Sequence, residues 1–214
     1  MTPLALACKY GHDDIALALV EHIDSSNLFN DGNSADVSPL HLLCQNKSAN
    51  FDLVKLILTR LSLSNVAYDN ELLVSCYYDP SKLNKTYTHS IIKSIFTRKY
   101  KNGETLLTTL INNSHTSILE YLFENFHEQV REFSEKWSAR SLTHLAARHG
   151  SPELLRLLVK HDLFNFGPSS GGDMETPLHI AASHNKFNFI KEFLINEKIY
   201  RNRQQDGDDA EKMG

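Results

Sequence analysis

The chain has 214 residues, of which 41% are hydrophobic and 22% are charged. This composition excludes disorder throughout, because disordered chains lack the large apolar side chains that build a core. The 22 basic and 26 acidic residues give a formal charge of −4, which argues against a general nucleic-acid-binding protein, since such proteins neutralise phosphates with excess Lys and Arg.

A seven-residue pattern of apolar and small side chains recurs along the chain and predicts six short helices. The copies span residues 2–8, 38–44, 70–76, 105–111, 141–147 and 176–182. We call the third residue of each copy its anchor. The anchors are Leu4, Leu40, Leu72, Leu107, Thr143 and Leu178, at spacings of 36, 32, 35, 36 and 35 residues. Such a steady period indicates a repeat architecture.

The start and the end of these helices can be read from single residues. A hydroxyl residue precedes proline at Thr2-Pro3, Ser38-Pro39 and Thr176-Pro177. The hydroxyl can cap a free backbone N–H, and proline at the first helical position loses no hydrogen bond. Gly11 and Gly150 follow two of the helices. They predict a tight turn before the next helix.

A second helix is predicted eleven residues after the anchor, where apolar residues recur at i, i+3 and i+4. Ile15, Ile118, Leu154 and Phe189 occupy this position, and in the second copy we expect the helix to start at Leu53. The third copy, from Asn70, is the most divergent. Its corresponding Ile91 lies 19 residues past Leu72, which implies about eight inserted residues near Pro80.

The best-preserved copies, Thr176-Pro177-Leu178-His179 and Ser38-Pro39-Leu40-His41, resemble the signature of the ankyrin-repeat family. The resemblance implies an all-α, ankyrin-like helix-turn-helix solenoid over residues 1–199, with repeats starting near 2, 38, 70, 105, 141 and 176. The family's Gly-Ala after the second helix is absent, so we expect long inter-repeat loops. Residues 200–214 are polar and predict a disordered tail. Because no capping repeat precedes Thr2, we expect a segment of a longer chain.

The histidines and cysteines predict structural roles. His41, His144 and His179 share the signature column, in which the resemblance implies hydrogen bonds between neighbouring repeats. Histidine pairs such as His144 and His149 are five residues apart, so they lack the i, i+4 spacing of a helical zinc site. Cys8, Cys44 and Cys76 fall in one column. Helices that stack about 8–10 Å apart hold cysteines too far apart for disulfides, so we expect free, packed thiols.

The sequence contains no phosphate-binding glycine loop and no nucleophile elbow. We therefore expect no catalytic residues, no metal, no cofactor and no small-molecule substrate. No apolar run reaches the roughly 18–20 residues that a membrane-spanning helix requires. Three cysteines without a CxxC pair are typical of a reducing, cytoplasmic location.

The resemblance also implies where a partner would bind. Ankyrin arrays usually bind proteins on the surface formed by the first helices and the loops, where the fifth and sixth residues past each anchor lie. The candidates are Tyr10, Gln45, Tyr77, Tyr78, Asn112, Arg148, His149 and His184. Among them, tyrosine and arginine are the types that most often dominate binding energy.

These observations predict a protein–protein interaction scaffold or adaptor within a larger intracellular signalling or regulatory protein. One alternative is the cytoplasmic ankyrin domain of an ion channel, and another is a nuclear regulator that acts through a DNA-binding partner. An enzyme would require a catalytic domain elsewhere. The sequence does not distinguish among these settings, because a fold does not fix a function.

Overall fold

The computed structural model describes residues 1–23, 38–62, 95–96, 99, 103–136, 141–168 and 174–212. Every regular element in these residues is an α-helix, which confirms the all-α prediction. The chain divides into two compact units, Met1–Phe133 and Ser134–Gly214. The two units are described separately.

The described residues of the first unit form three helix pairs and most of one further helix. The helices are α1 (Pro3–Tyr10), α2 (Asp13–His22), α3 (Pro39–Gln45), α4 (Phe51–Ser62), α5 (Leu106–Asn112), α6 (Thr116–Asn125) and α7 (His127–Lys136), the last of which extends past Phe133, the final residue of the unit. Helix α4 starts two residues before the predicted Leu53, because the Asn50 side chain accepts a hydrogen bond from the Leu53 N–H at 3.1 Å.

The predicted caps form at the N-termini of the first helices. Thr2 Oγ1 accepts a hydrogen bond from the Ala5 N–H at 3.2 Å, and Ser38 Oγ accepts one from the His41 N–H at the same distance. At α5 the Thr105 and Thr108 side chains each accept from the other's backbone N–H. Each bond satisfies a backbone donor that the helix itself leaves unpaired.

Two helix pairs of the first unit pack on each other although a predicted copy of the repeat lies between them in the sequence. Helix α1 packs on α3, and α3 packs directly on α5, while α4 contacts both α2 and α6. The pair predicted as the second repeat therefore contacts the pair predicted as the fourth. The third predicted copy, with Leu72 and Cys76, lies outside the described residues.

The core of the first unit consists of the anchor column and the apolar faces of the second helices. Leu4, Leu40 and Leu107 are all buried, as are Leu53 and Ile118 on α4 and α6. Phe96 is also buried, and its ring lies 6.4 Å from that of Phe126. Burial of these apolar side chains stabilises the packing of the helix pairs on one another.

Two helix pairs are described in the second unit. They are α8 (Leu142–His149) with α9 (Pro152–Lys160), and α10 (Pro177–Ser183) with α11 (Phe187–Lys212). Helix α10 packs on α8, and α11 packs on α9. A bidentate ion pair joins the two second helices, because Arg156 donates to both carboxylate oxygens of Glu192 at 3.0 Å.

An aromatic cluster fills the space between the loop after α9 and helix α11. Phe164 and Phe166 meet edge to face at 4.0 Å, and each ring lies 5.4 Å from that of the buried Phe193. These two loop phenylalanines therefore pack against helix α11.

Helix α11 extends through a segment that the sequence does not predict to be helical. Its backbone is helical to Lys212, whereas residues 200–214 were predicted to form a disordered tail. The segment lacks apolar periodicity, but it also lacks proline, so nothing in its chemistry stops a helix that is already nucleated.

The glycines that end α1 and α8 allow a first stability prediction. Gly11 and Gly150 adopt left-handed φ values of 70° and 76°. A β-carbon at position 11 would meet only Asn46 Nδ2, at 3.9 Å, whereas one at position 150 would collide with the Lys186 side chain. We expect Gly11→Ala to lower the free energy of unfolding by about 1 kcal/mol and Gly150→Ala by about 2 kcal/mol.

Urea denaturation followed by circular dichroism measures both variants, and Gly11→Ala is the matched control for the backbone conformation alone. Equal losses in the two variants would show that the approach of Lys186 to Gly150 has no energetic weight.

Candidate functional site

The candidate binding residues lie at the ends of the first helices. Tyr10, Gln45, Asn112, Arg148 and His184 are exposed, and His149 is half-buried. Tyr77 and Tyr78 lie outside the described residues. Exposure makes contact with a partner sterically possible at the six described positions.

In the first unit the candidate side chains are held by local contacts. The Tyr10 ring is 64% exposed and lies 6.3 Å from the His12 ring, and Lys9 Nζ lies 5.4 Å above its centre. Gln45 Nε2 lies 2.9 Å from His41 Nε2. The Asn112 side chain donates to Glu104 at 2.7 Å. These contacts limit the side-chain entropy that binding would remove.

In the second unit Arg148 occupies the exposed last turn of α8. His184 follows α10, and its Nδ1 lies 3.0 Å from both the Ile180 carbonyl and Ser183 Oγ. Arg148 therefore offers an exposed guanidinium group to a partner, whereas the ring of His184 is held by contacts with its own helix.

The signature histidines differ in what they contact. His144 is buried, with Nδ1 2.7 Å from Ser141 Oγ and Nε2 3.0 Å from the carbonyl of Glu175, the residue before the cap of the next helix pair. His144 Nε2 donates to that carbonyl and so joins the two pairs. His179 is exposed, and its Nδ1 contacts Thr176 Oγ1 at 2.7 Å within its own helix start. The predicted link between repeats thus forms at His144.

A capped first helix is followed by a second helix in these pairs, and His144 bonds to the next pair. Residues 144–211 match the family model described as ankyrin repeats (3 copies). Over these residues the chain is similar to the ankyrin-repeat family. No curated protein matches the chain.

Two asparagines, each six residues past its anchor, join the helix pairs of the first unit. The Asn46 side chain donates to the Cys8 carbonyl at 2.6 Å, and the Asn113 side chain donates to the Cys44 carbonyl at 3.0 Å. Both asparagines lie six residues past their anchors, and both carbonyls lie four past theirs. His115 Nε2 also donates to the Cys44 carbonyl, at 3.1 Å. The recurrence of Asn at this position was the signal that could have revealed the link.

The two described cysteines have no catalytic environment. Cys8 and Cys44 are free and buried, as predicted, and Cys76 lies outside the described residues. Burial, with a smaller contribution from Asp13, raises the pKa of the Cys8 thiol to about 12. Burial also raises the pKa of Cys44 far above its usual range. Neither thiol forms the reactive thiolate at neutral pH.

One further property concerns membranes. Among the helices that the structure describes, none combines the length and the apolar character needed to span a bilayer.

Proposed function

We propose that this ankyrin-repeat chain is a non-catalytic protein-binding scaffold or adaptor, a cytoplasmic segment of a larger signalling or regulatory protein. Members of this family generally act as protein-interaction modules, and the match over residues 144–211 supports the same role here. The finer assignment to a signalling or regulatory protein is our proposal.

One observation carries the proposal: the fifth residue past the anchor is exposed wherever it is described. These residues are Lys9, Gln45, Asn112, Arg148 and Ser183. The residue immediately before each of them is buried in four of the five cases, the exception being Ala182. The buried residues fix the end of the first helix in the core. The exposed residues next to them differ from one helix pair to the next and are accessible to a partner.

The chemistry of this column suits recognition by hydrogen bonds and by aromatic and cationic anchors. Arg148 in this column and Tyr10, which follows Lys9 of the column, are the residues for which truncation is expected to weaken binding the most, since Tyr and Arg are enriched among binding hot spots. Gln45 and Asn112 are already ordered by their contacts with His41 and Glu104. The proposed binding through these side chains is non-covalent.

The test is quantitative capture of partners from a cell extract on the immobilised full chain, followed by affinity measurement with each purified partner. We expect Tyr10→Ala and Arg148→Ala each to weaken binding about thirtyfold, which corresponds to a hot spot of about 2 kcal/mol. Tyr77→Ala and Tyr78→Ala test the two candidates outside the described residues.

The matched control is Ile195→Ala, which removes an exposed apolar side chain from a second helix. It should leave both the affinity and the thermal stability unchanged. If no partner responds to any of the four candidate variants while the chain stays folded, the proposed binding surface is wrong.

A further inference from the structure

The turn between α8 and α9 brings two cationic residues of the second unit together. Arg148 lies in the last turn of α8, two residues before Gly150. Lys186 immediately precedes α11, and its stem passes so close to Gly150 that a β-carbon there would collide with the Lys186 Cγ and Cδ. Two neighbouring helix pairs therefore each contribute one cation to the same turn.

The exposure of Arg148 does not depend on a missing neighbour. Helices α10 and α11 pack on α8 and α9, and Arg148 stays exposed beside them. The equivalent residues of the other described pairs, which are Lys9, Gln45, Asn112 and Ser183, are exposed as well. This position is therefore open to a partner wherever a helix pair lies in the array.

Lys186 has replaced a residue that makes a structural contact elsewhere in the chain. It lies eight residues past its anchor, the position of His115 in the first unit. His115 Nε2 donates to the carbonyl of Cys44. The equivalent carbonyl for Lys186 is that of Ala147, but the Lys186 ammonium forms no hydrogen bond or ion pair with any residue that the structure describes. Its charge is thus not used to hold the repeats together.

Packing against Gly150 orders the Lys186 side chain before any ligand binds. Lys186 is half-buried, whereas Lys191 and Lys198 on α11 are exposed. A lysine stem can lie along the protein surface while its ammonium stays in water. Because immobilising a long side chain costs entropy, a stem that is already packed lowers the cost of binding through its ammonium.

Within the described part of the chain, the charges of these two residues are not neutralised. Neither Arg148 nor Lys186 forms an ion pair there. Arg156, by contrast, is paired with Glu192, and the charge of Glu153 also acts on Arg156. Two neighbouring cations without a counter-charge give this turn a positive potential, which favours a ligand that carries negative groups.

The rest of the chain favours an acidic protein segment over a nucleic acid as that ligand. The formal charge of −4 repels a long polyanion, and nucleic-acid-binding surfaces neutralise many phosphates along a strand. The equivalent column of the first unit is mostly uncharged, with Gln45 and Asn112 beside Lys9. A short cluster of carboxylates matches two cations at one turn, because guanidinium binds a carboxylate through two hydrogen bonds and ammonium acts as a point charge.

We propose that Arg148 and Lys186 together bind an acidic segment of a protein partner through its Asp and Glu side chains. This inference rests on the proposed function, since it names the class of partner for the same binding surface. It also adds Lys186, which the sequence pattern did not mark, to the residues that bind the partner.

Fluorescence anisotropy with a labelled octaglutamate peptide tests this proposal on the full chain. We expect the wild type to bind the peptide, with an affinity that falls as NaCl is raised, because salt screens exposed charges. The double variant Arg148→Gln/Lys186→Met should bind about tenfold more weakly. Methionine keeps the apolar stem that packs on Gly150. Circular dichroism checks folding, and the single variant Arg148→Gln, at an exposed position, gives a second measurement.

The matched control is the double variant Lys191→Gln/Lys198→Gln. It removes the same number of charges from exposed positions on α11 of the same unit. Its affinity for octaglutamate should stay within about twofold of the wild type, because salt screens charges that do not contact the peptide.

Three results would overturn the proposal. The wild type could fail to bind octaglutamate even at low salt. The two double variants could lose equal affinity, which would show that only net charge matters. A single-stranded DNA octamer could bind more tightly than octaglutamate through the same two residues, which would assign the turn to nucleic acid. The proposed function itself would survive if captured protein partners still responded to Arg148→Ala and Tyr10→Ala.

Discussion

Replacing Phe193 by alanine is expected to lower the free energy of unfolding of the second unit by about 3–5 kcal/mol, the range for large aromatic truncations in a core. Phe193 is 1% exposed, and its ring lies 5.4 Å from those of Phe164 and Phe166 and 5.9 Å from that of Phe189. The loss combines lost burial with the cavity that three remaining rings cannot close. It is a large share of the roughly 5–15 kcal/mol typical of a folded domain.

Urea denaturation monitored by helical circular dichroism measures this loss. Ile195→Ala is the control on the same helix, since that side chain is 49% exposed, and its effect should stay within about 0.5 kcal/mol. A loss below about 1 kcal/mol for Phe193→Ala would mean that the aromatic cluster closes over the cavity or contributes little.

The second large effect is a loss of stability in acid that originates at His41. This side chain is 0% exposed, and burial lowers its pKa from 6.5 to about 4. The unfolded chain therefore binds a proton at a higher pH than the folded chain. The contribution of the neutral ring is complete above about pH 6.5, and it is lost progressively as the pH falls towards 4. The difference of about 2.5 pKa units corresponds to about 3 kcal/mol.

The measurement is the free energy of unfolding by urea at pH values from 7 to 4. Carboxylates also titrate near the lower limit, so the informative quantity is the difference between the wild type and His41→Gln, which cannot be protonated in this range. That difference should shift by about 3 kcal/mol over the series. His179→Gln, at an exposed position of the same column, is the matched control for the substitution itself. A constant difference for His41→Gln would assign the acid loss to other groups.

The helix starts were predictable because they depend on local chemistry. Thr2, Ser38 and Thr176 cap their helices through hydroxyl groups, and Gly11 and Gly150 end theirs in the left-handed region. These preferences belong to one or two residues and need no knowledge of the fold. The spacing of the repeats also predicted that Tyr10, Gln45 and Arg148 are exposed, as they are in the structure. Their role in binding stays a prediction.

Other features depend on which helix pairs contact each other, and the period of the sequence pattern does not specify these contacts. The direct packing of α3 on α5 and the roles of Asn46 and Asn113 both arise from contacts between segments far apart in sequence. Leu178 illustrates the same limit. It matches the buried anchors Leu4 and Leu40 in sequence, but it is only half-buried in the structure.

The direct contact between α3 and α5 has a consequence for how the first unit folds. The Asn46 bond closes a loop of 38 residues, whereas the Asn113 bond closes one of 69. The longer closure costs only about 0.5 kcal/mol more in chain entropy, since this term grows with the logarithm of length. The contact order nevertheless rises at this junction. When folding spreads from one helix pair to the next, the docking of α5 on α3 is expected to be slow, because it joins distant segments. This docking step is therefore a candidate for the rate-limiting step.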